Sequence, residues 1–282
     1  CIMQYVTLNN GNKMPLEGFG VFQITDPLEC EKVVLQALEN GYRLIDTAAA
    51  YFNEQAVGQA IRKSQIARQE IFVTTKLWIQ DYGYDNAKKA IDTCLENLGL
   101  EYIDLILLHQ AFGDYYRALE DAYKEGKVKA IGVANFYPDR LVDLCMNMEI
   151  TPAVNQIECH PFFQREEDIK IAQEYGVQIE AWGPFAEGGH NIFQHPVLIE
   201  IGEKYGKSAA QVVLRWNIQR GVIVIPKSVH ENRIRENIDI WDFELSERDM
   251  KEIRQLNIGK TEIIDHYSNP VVKMLNTHKI HE

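Results

Sequence analysis

The chain has 282 residues, 46% of them hydrophobic and 25% charged, with a formal net charge of −12. That length and balance fit one large α/β barrel or two ordinary domains, and exclude a disordered or collagen-like chain. The acidic balance also excludes a general affinity for nucleic acid or an anionic membrane, which would need a basic surface.

Taken in chain order, residues 5–8 and 13–15 flank Asn9-Asn10-Gly11-Asn12 and predict a β-hairpin. Beyond it, short apolar runs alternate with longer amphipathic stretches. The runs predict strands over 18–23, 43–47, 71–77, 103–109, 128–135, 153–159, 178–183 and 222–227. Near-continuous apolar runs of this kind suit strands buried on both faces. Helices are predicted over 28–40, 53–64, 85–98, 115–125, 138–148, 166–175 and 208–220, with turn signals at Asn40-Gly41, Gly99, Gly176 and Gly221. Eight strands alternating with helices predict a closed (β/α)8 TIM barrel, one domain over 1–282, with the hairpin capping the barrel bottom. The tail from Asp265 reads as irregular and is expected to cover part of the top, with His278 and His281 solvated.

The five cysteines, Cys1, Cys30, Cys94, Cys145 and Cys159, are scattered and include no CxxC pair. This pattern predicts a reducing compartment. No apolar run reaches membrane-span length and the start lacks a signal-peptide pattern, so the cytoplasm is expected. Cys159 and His160 are adjacent, and neighbours on a strand point to opposite faces. With no further ligand at suitable spacing, no metal site is expected. Gly18-Phe19-Gly20 lacks the third glycine of a phosphate-turn fingerprint, so any dinucleotide would be gripped by side chains and loop amides.

In such a barrel, chemistry lies at the C-terminal ends of the strands. Those ends carry Asp46 with Tyr51 in the loop after it, Lys76 followed by Trp78, His109, Asn135, Gln156, Trp182 and Lys227-Ser228. Singly, each has an ordinary explanation: a solvated lysine cap, a core histidine, an aspartate closing a turn. Together, Asp46, Tyr51, Lys76 and His109 occupy one rim on three consecutive strands and make a proton donor. A tyrosine ionises near pH 10, too high for an acid at neutral pH, and a neighbouring ammonium lowers that value. Asp46 can hold the lysine charged, and a neutral His109 can orient an oxygen and donate to it. Such a rim protonates a carbonyl oxygen as hydride reaches the carbon.

A second cluster follows the last strand. The chain from Val229 predicts a helix start, whose free amides favour a phosphate. Lys227 and Ser228 precede it and Arg233 lies one turn in, a locally basic group in an acidic chain. No acidic residue ends the last strand to bind a free ribose hydroxyl. An ordinary charged surface helix is the alternative.

These residues fall in stretches that resemble the signatures of the aldo-keto reductase family: 41–54 around Asp46 and Tyr51, 73–78 around Lys76, 131–136 around Asn135, and 225–229 around Lys227 and Ser228. The nearest branch is the microbial one of 2,5-diketogluconate and glyoxal-type reductases. The resemblance runs from about Val6 to about Asn257. It implies NADPH-dependent reduction of an aldehyde or ketone, with Asp46, Tyr51, Lys76 and His109 as the catalytic four and Tyr51 as general acid. It further implies that Asn135 and Gln156 bond the nicotinamide amide, that Trp182 stacks on its ring, and that Lys227, Ser228, Arg233 and Asn237 hold the adenosine end with its 2′-phosphate. Gly20, Val21, Asp46, Ala134, Gly183, Pro184, Phe185, Val229 and Glu236 complete the implied cofactor set. Val21, Phe22, Trp78, His109 and Gln110 are implied to line the substrate pocket, and the loop 187–191 to fold over the pyrophosphate.

The chain departs from the family pattern in four places. Gln110-Ala111 stands where Trp-Pro is common, Ala134 replaces a serine, and Phe22 stands where tryptophan is frequent. The loop of residues 112–116 is short. These bear on substrate range and cofactor affinity.

Two other readings stay open at this stage. One is a Schiff-base aldolase using Lys76 as nucleophile; the other is a redox-silent cofactor-binding subunit on the same barrel. A small-molecule carbonyl substrate is the expected partner, with no nucleic acid or membrane, and a monomer is expected, a weak dimer being the alternative.

Overall fold

The computed structural model describes residues 2–111 and 116–282. Two short strands come first, β1 (Tyr5–Thr7) and β2 (Lys13–Pro15), paired antiparallel. Eight parallel strands follow: β3 (Phe19–Gly20), β4 (Leu44–Asp46), β5 (Phe72–Leu77), β6 (Leu105–Leu108), β7 (Ile131–Ala134), β8 (Val154–Glu158), β9 (Gln178–Trp182) and β10 (Ile223–Val224). Each pairs with the next in sequence order. Ladder contacts between Glu17 and Val224, with Gly18 N donating to Val224 O at 2.8 Å and Gly20 N to Pro226 O at 3.1 Å, join the last strand to the first and close the (β/α)8 barrel.

Helices fill the outside: α1 (Pro27–Glu39), α2 (Glu54–Lys63), α3 (Tyr84–Leu98), α4 (Tyr116–Lys124), α5 (Pro138–Asn147), α6 (Glu166–Glu174), α7 (Pro196–Tyr205), α8 (Ala209–Gln219), α9 (Glu231–Ile238), α10 (Glu247–Arg254) and α11 (Asn269–Thr277). Local chemistry sets their starts. Asp26 caps α1 by accepting from Leu28 N, and Ser208 with Gln211 forms a reciprocal capping box at α8.

Alternation along the strands divides the apolar side chains between two cores. Ile45, Val73, Ile106, Val133 and Ile179 face the helices, among the largest buried cluster. Leu44, Phe72, Leu105, Leu107, Val154 and Ile223 face inward and fill the lower barrel together with Met14 and Leu8 of the hairpin. Asn9 and Asn10 bond to the carbonyls of Pro152 and Lys129, just before β8 and β7, so the hairpin sits at the bottom. The lower barrel is therefore plugged largely by apolar side chains.

Most predicted elements lie where expected, but the strands are shorter. The stretch 18–23 contributes only Phe19–Gly20 to regular ladder, because barrel stagger leaves strand ends without a full set of partners. The tail expectation needs correction: it contains α11, with Ser268 at its N-cap and a proline in the first turn. Of the loop expected to be short after His109, 112–116, residues 112–115 lie outside the described residues, as does the first residue of the helix predicted over 115–125, while Tyr116 opens α4.

Candidate active site

Lys76 sits at an inward position of β5 and is fully buried. Its Nζ donates to Asp46 Oδ2 at 2.6 Å, to Thr47 O at 2.9 Å and to Tyr51 Oη at 3.3 Å. Asp46 is the last residue of β4, and Tyr51 closes a short 3-10 turn, Ala49–Tyr51, just beyond it. Asn53 fixes that turn: its Nδ2 donates to Val21 O at 3.0 Å and Ile24 O at 3.1 Å, and its Oδ1 accepts from Thr47 Oγ1 at 2.6 Å. The loops after β3 and β4 are thus tied into one unit. Asn53 played no part in the sequence reading, since its contacts are with distant carbonyls.

The electrostatics differ from expectation in one respect. Burial pushes the Tyr51 phenol above its ordinary value, and this outweighs Lys76, which pulls it down. The lysine acts in the expected direction, but the net shift is upward, because the ring is enclosed in a dry site. Burial also works against the charge of Lys76, yet Asp46, and Tyr51 after it, hold the ammonium well above its usual range. His109 is driven far below the usual imidazole value by burial and then by Lys76, so it is neutral. Its ring meets Tyr51 edge-on at 5.6 Å and Trp78 at 5.2 Å between centroids.

These groups open onto a cavity of about 600 Å³. Of the residues named from sequence, Gly20, Phe22, Asp46, Tyr51, Trp78, His109, Gln110, Asn135, Gln156, Trp182, Gly183, Pro184, Phe185 and Lys227 line it. Gly20 lets the backbones pass closely there, since a Cβ would meet Ile225 O at 3.0 Å. Gly183 takes a left-handed φ of 59° where the chain turns out of β9. Asn135 accepts from Trp182 Nε1 at 2.8 Å and donates to His109 O at 2.8 Å, which fixes the indole against the wall.

Other named residues lie off this cavity. The Val21 side chain packs in the helix-facing core and Ala134 in the lower barrel core. Ser228 is buried, its Oγ accepting from His230 N at 3.1 Å, ahead of α9. Val229 and Arg233 are exposed, Glu236 is half-buried and Asn237 buried. Among the described residues, neither Lys227 nor Arg233 has an ion-pair partner, whereas Arg235 is paired with Glu231.

Several wall residues escaped the sequence reading. They include Phe193, Ile264 and, from the tail, His266, Leu275 and His278, whereas Glu187 and Gly188, also in the wall, belong to the loop 187–191 named from sequence. His278 is exposed, as expected, yet its carbonyl accepts from Trp78 Nε1 at 2.7 Å and its ring packs edge-on against that indole. Glu158 anchors the tail by accepting from Thr261 Oγ1 at 2.5 Å, and His190 of the β9 loop is paired with Glu262. Glu180, on β9, is the register partner of the cavity-lining Gln156 on β8. An acid in the middle of an apolar strand was the signal for Glu180.

The comparisons with known proteins agree with this geometry. The aldo/keto reductase family model matches residues 18–258. The chain belongs to the aldo/keto reductase family. It is 47% identical over 256 residues to a glyoxal reductase of Bacillus subtilis, covering 89% of this chain and 92% of that one. It is 41% identical over 261 residues to the methylglyoxal reductase DkgA of Escherichia coli, covering 90% and 94%. An aldo-keto reductase of Bombyx mori, solved in complex with NADP, superposes with a TM-score of 0.88 at 33% identity over 93% of this chain and 95% of that one. This aldo/keto reductase is accordingly an oxidoreductase on a (β/α)8 barrel. Among the described residues, no helix is long and apolar enough to cross a membrane.

Proposed function

We propose that this aldo/keto reductase reduces small aldehydes or ketones to alcohols with NADPH, Tyr51 giving the proton to the carbonyl oxygen. The carrying observation is the buried Lys76 Nζ, shared between Asp46 Oδ2 at 2.6 Å and Tyr51 Oη at 3.3 Å beside a cavity.

The residues present fit a nicotinamide dinucleotide. Trp182 offers an oriented aromatic wall, and Gln156 and Asn135 offer amides beside it. At the far side, Lys227 and Arg233 are, among the described residues, cations without carboxylate partners, ahead of and within the first turn of α9, which suits a 2′-phosphate. Ser228, Val229, Glu236 and Asn237 would complete the adenosine end, with Gly183, Pro184, Phe185 and the loop from Glu187 beside the pyrophosphate. Gly20 would bound the nicotinamide side, whereas Val21 and Ala134, packed in the two cores, would not reach it. When bound, the dihydronicotinamide supplies hydride to the carbonyl carbon.

The chain's own groups do the rest. Tyr51 stays protonated at neutral pH because it is buried, and so holds a proton to give. As that proton leaves, the adjacent ammonium stabilises the phenolate that forms, which lowers the cost of transfer. Asp46 keeps Lys76 charged within the dry barrel. His109, neutral, donates to the substrate oxygen and fixes which face of the carbonyl is presented. Trp78, Phe22 and Gln110 shape the rest of the pocket. A lysine held protonated by Asp46 is a poor amine nucleophile, which weighs against the aldolase reading.

The substrate class is drawn from two supports. Gln110 places an amide where an aromatic side chain is common, and the two bacterial relatives are named for glyoxal and methylglyoxal. Small, oxygen-rich carbonyl compounds are the expected substrates. Mixing the purified protein with NADPH and glyoxal, and following the absorbance of the reduced nicotinamide, tests this. Loss of absorbance that needs both partners is expected; none, with glyoxal or any simple aldehyde, would overturn the reading.

A further inference from the structure

Glu180 takes no part in the proton path, yet its carboxyl lies fully buried inside the barrel. It faces Asp46 of β4, Lys76 of β5 and, through space, Tyr51; its register partner on β10 is the apolar Ile223. On its other side is Gln156, whose Nε2 donates to Asp46 Oδ1 at 2.8 Å and to Glu180 Oε1 at 2.7 Å.

Both hydrogens of that amide are therefore committed to carboxyl oxygens. Turning the amide over is opposed, because the flip would set its carbonyl oxygen against the Asp46 carboxylate and give up both of these bonds. Among the described residues, Gln156 Oε1 accepts no hydrogen bond, and the side chain lines the cavity beside Trp182 and Asn135. With Asp46 alone as acceptor, one N–H would be left unpaired in a dry site, and the side chain would be free to seek another partner.

We propose that Glu180 is a positioning residue for the cofactor: it locks the Gln156 amide so that Oε1 stays turned toward the nicotinamide carboxamide, as an acceptor for its N–H. The inference rests on the nicotinamide reading of the cavity. Burial, and then the charge of Asp46, push the Glu180 carboxyl up to about 8. At neutral pH it is thus a neutral acid whose carbonyl oxygen accepts from Gln156. Glutamine, which keeps an accepting carbonyl oxygen at that place, is therefore the closest mimic of Glu180.

The test measures dissociation constants at neutral pH for two probes, NADPH and adenosine 2′,5′-bisphosphate, which lacks the nicotinamide. In Glu180→Leu the constant for NADPH should rise about fivefold to tenfold, the value of one lost hydrogen bond, while that for the bisphosphate stays within about twofold. Glu180→Gln should bring NADPH binding back to the parent value. Should the leucine variant not fold, Glu180→Met serves, with the same split expected. Parent-like NADPH binding in the apolar variant would overturn the proposal. So would equal weakening of both probes, which would make Glu180 a support of the fold alone, or a glutamine variant as weak as the leucine one. A parent protein that binds the bisphosphate but gains nothing from the nicotinamide would overturn the nicotinamide reading itself.

Discussion

Lys76 and Arg233 are both cations of the same barrel, and they are built in opposite ways. Lys76 is wholly buried, bonded to Asp46, Thr47 and Tyr51, and enclosed by a network that continues through Gln156 to Glu180. Arg233 is exposed in the first turn of α9 and, among the described residues, has no ion pair. The buried cation acts on a neighbour already in place, in a medium that screens little. The exposed one waits for an anion from solution, and its pull is screened over about 8 Å at physiological salt. On the proposed function one region serves chemistry and the other affinity, so damage to each should show in a different constant.

The largest effect is expected at the buried end. Lys76→Met removes the charge beside Tyr51 and leaves Asp46 uncompensated. Turnover should fall by about a hundredfold or more, and stability by about 3–5 kcal/mol, because a buried anion loses its partner. Single-turnover rates and thermal melting check the two separately. Asp46→Asn should move both in the same direction, less far. A Lys76→Met enzyme with parent-like turnover would mean that Tyr51 is tuned by something else.

At the open end, Arg233→Ala should raise KM for NADPH by about tenfold or more, as expected for a lost charge-assisted contact, and leave KM for NADH nearly unchanged. Raising ionic strength should weaken NADPH binding to the parent in the same way, with little change in turnover. Steady-state constants for both cofactors at two salt concentrations decide it. Equal losses for the two cofactors would remove the phosphate role from this cluster.

The smallest effect concerns the pocket between them. Gln110→Trp restores a large aromatic side chain and should shift preference from small polar aldehydes toward flat apolar ones by about 1–3 kcal/mol at most. Specificity constants for glyoxal and benzaldehyde measure it, and an unchanged ratio would show that Gln110 does not face the substrate.

The same contrast explains what could be read from the sequence. Asp46, Lys76 and His109 stand out because each is a polar residue at or next to the C-terminal end of a strand, the common rim of the barrel. Gln156 was found through its strand as well. Glu180 was missed although strand alternation gives it a face shared with Trp182, because its partner lies on another strand and only the register unites them. The tail was harder still. Trp78 meets His278 across 200 residues of sequence, and no local periodicity records such a contact. The direction of the Tyr51 shift was misjudged for a related reason: the charge of a neighbour can be read from a motif, but the depth of enclosure that outweighs it comes from the whole assembled rim.

The division of labour between the two ends is tested most directly by Tyr51→Phe, which removes the phenolic proton and keeps the ring. Turnover with glyoxal and the dissociation constant for NADPH should be measured on the same preparation. The account predicts a loss in turnover of about a hundredfold or more with NADPH binding within about twofold of the parent. Parent-like turnover in this variant would contradict it.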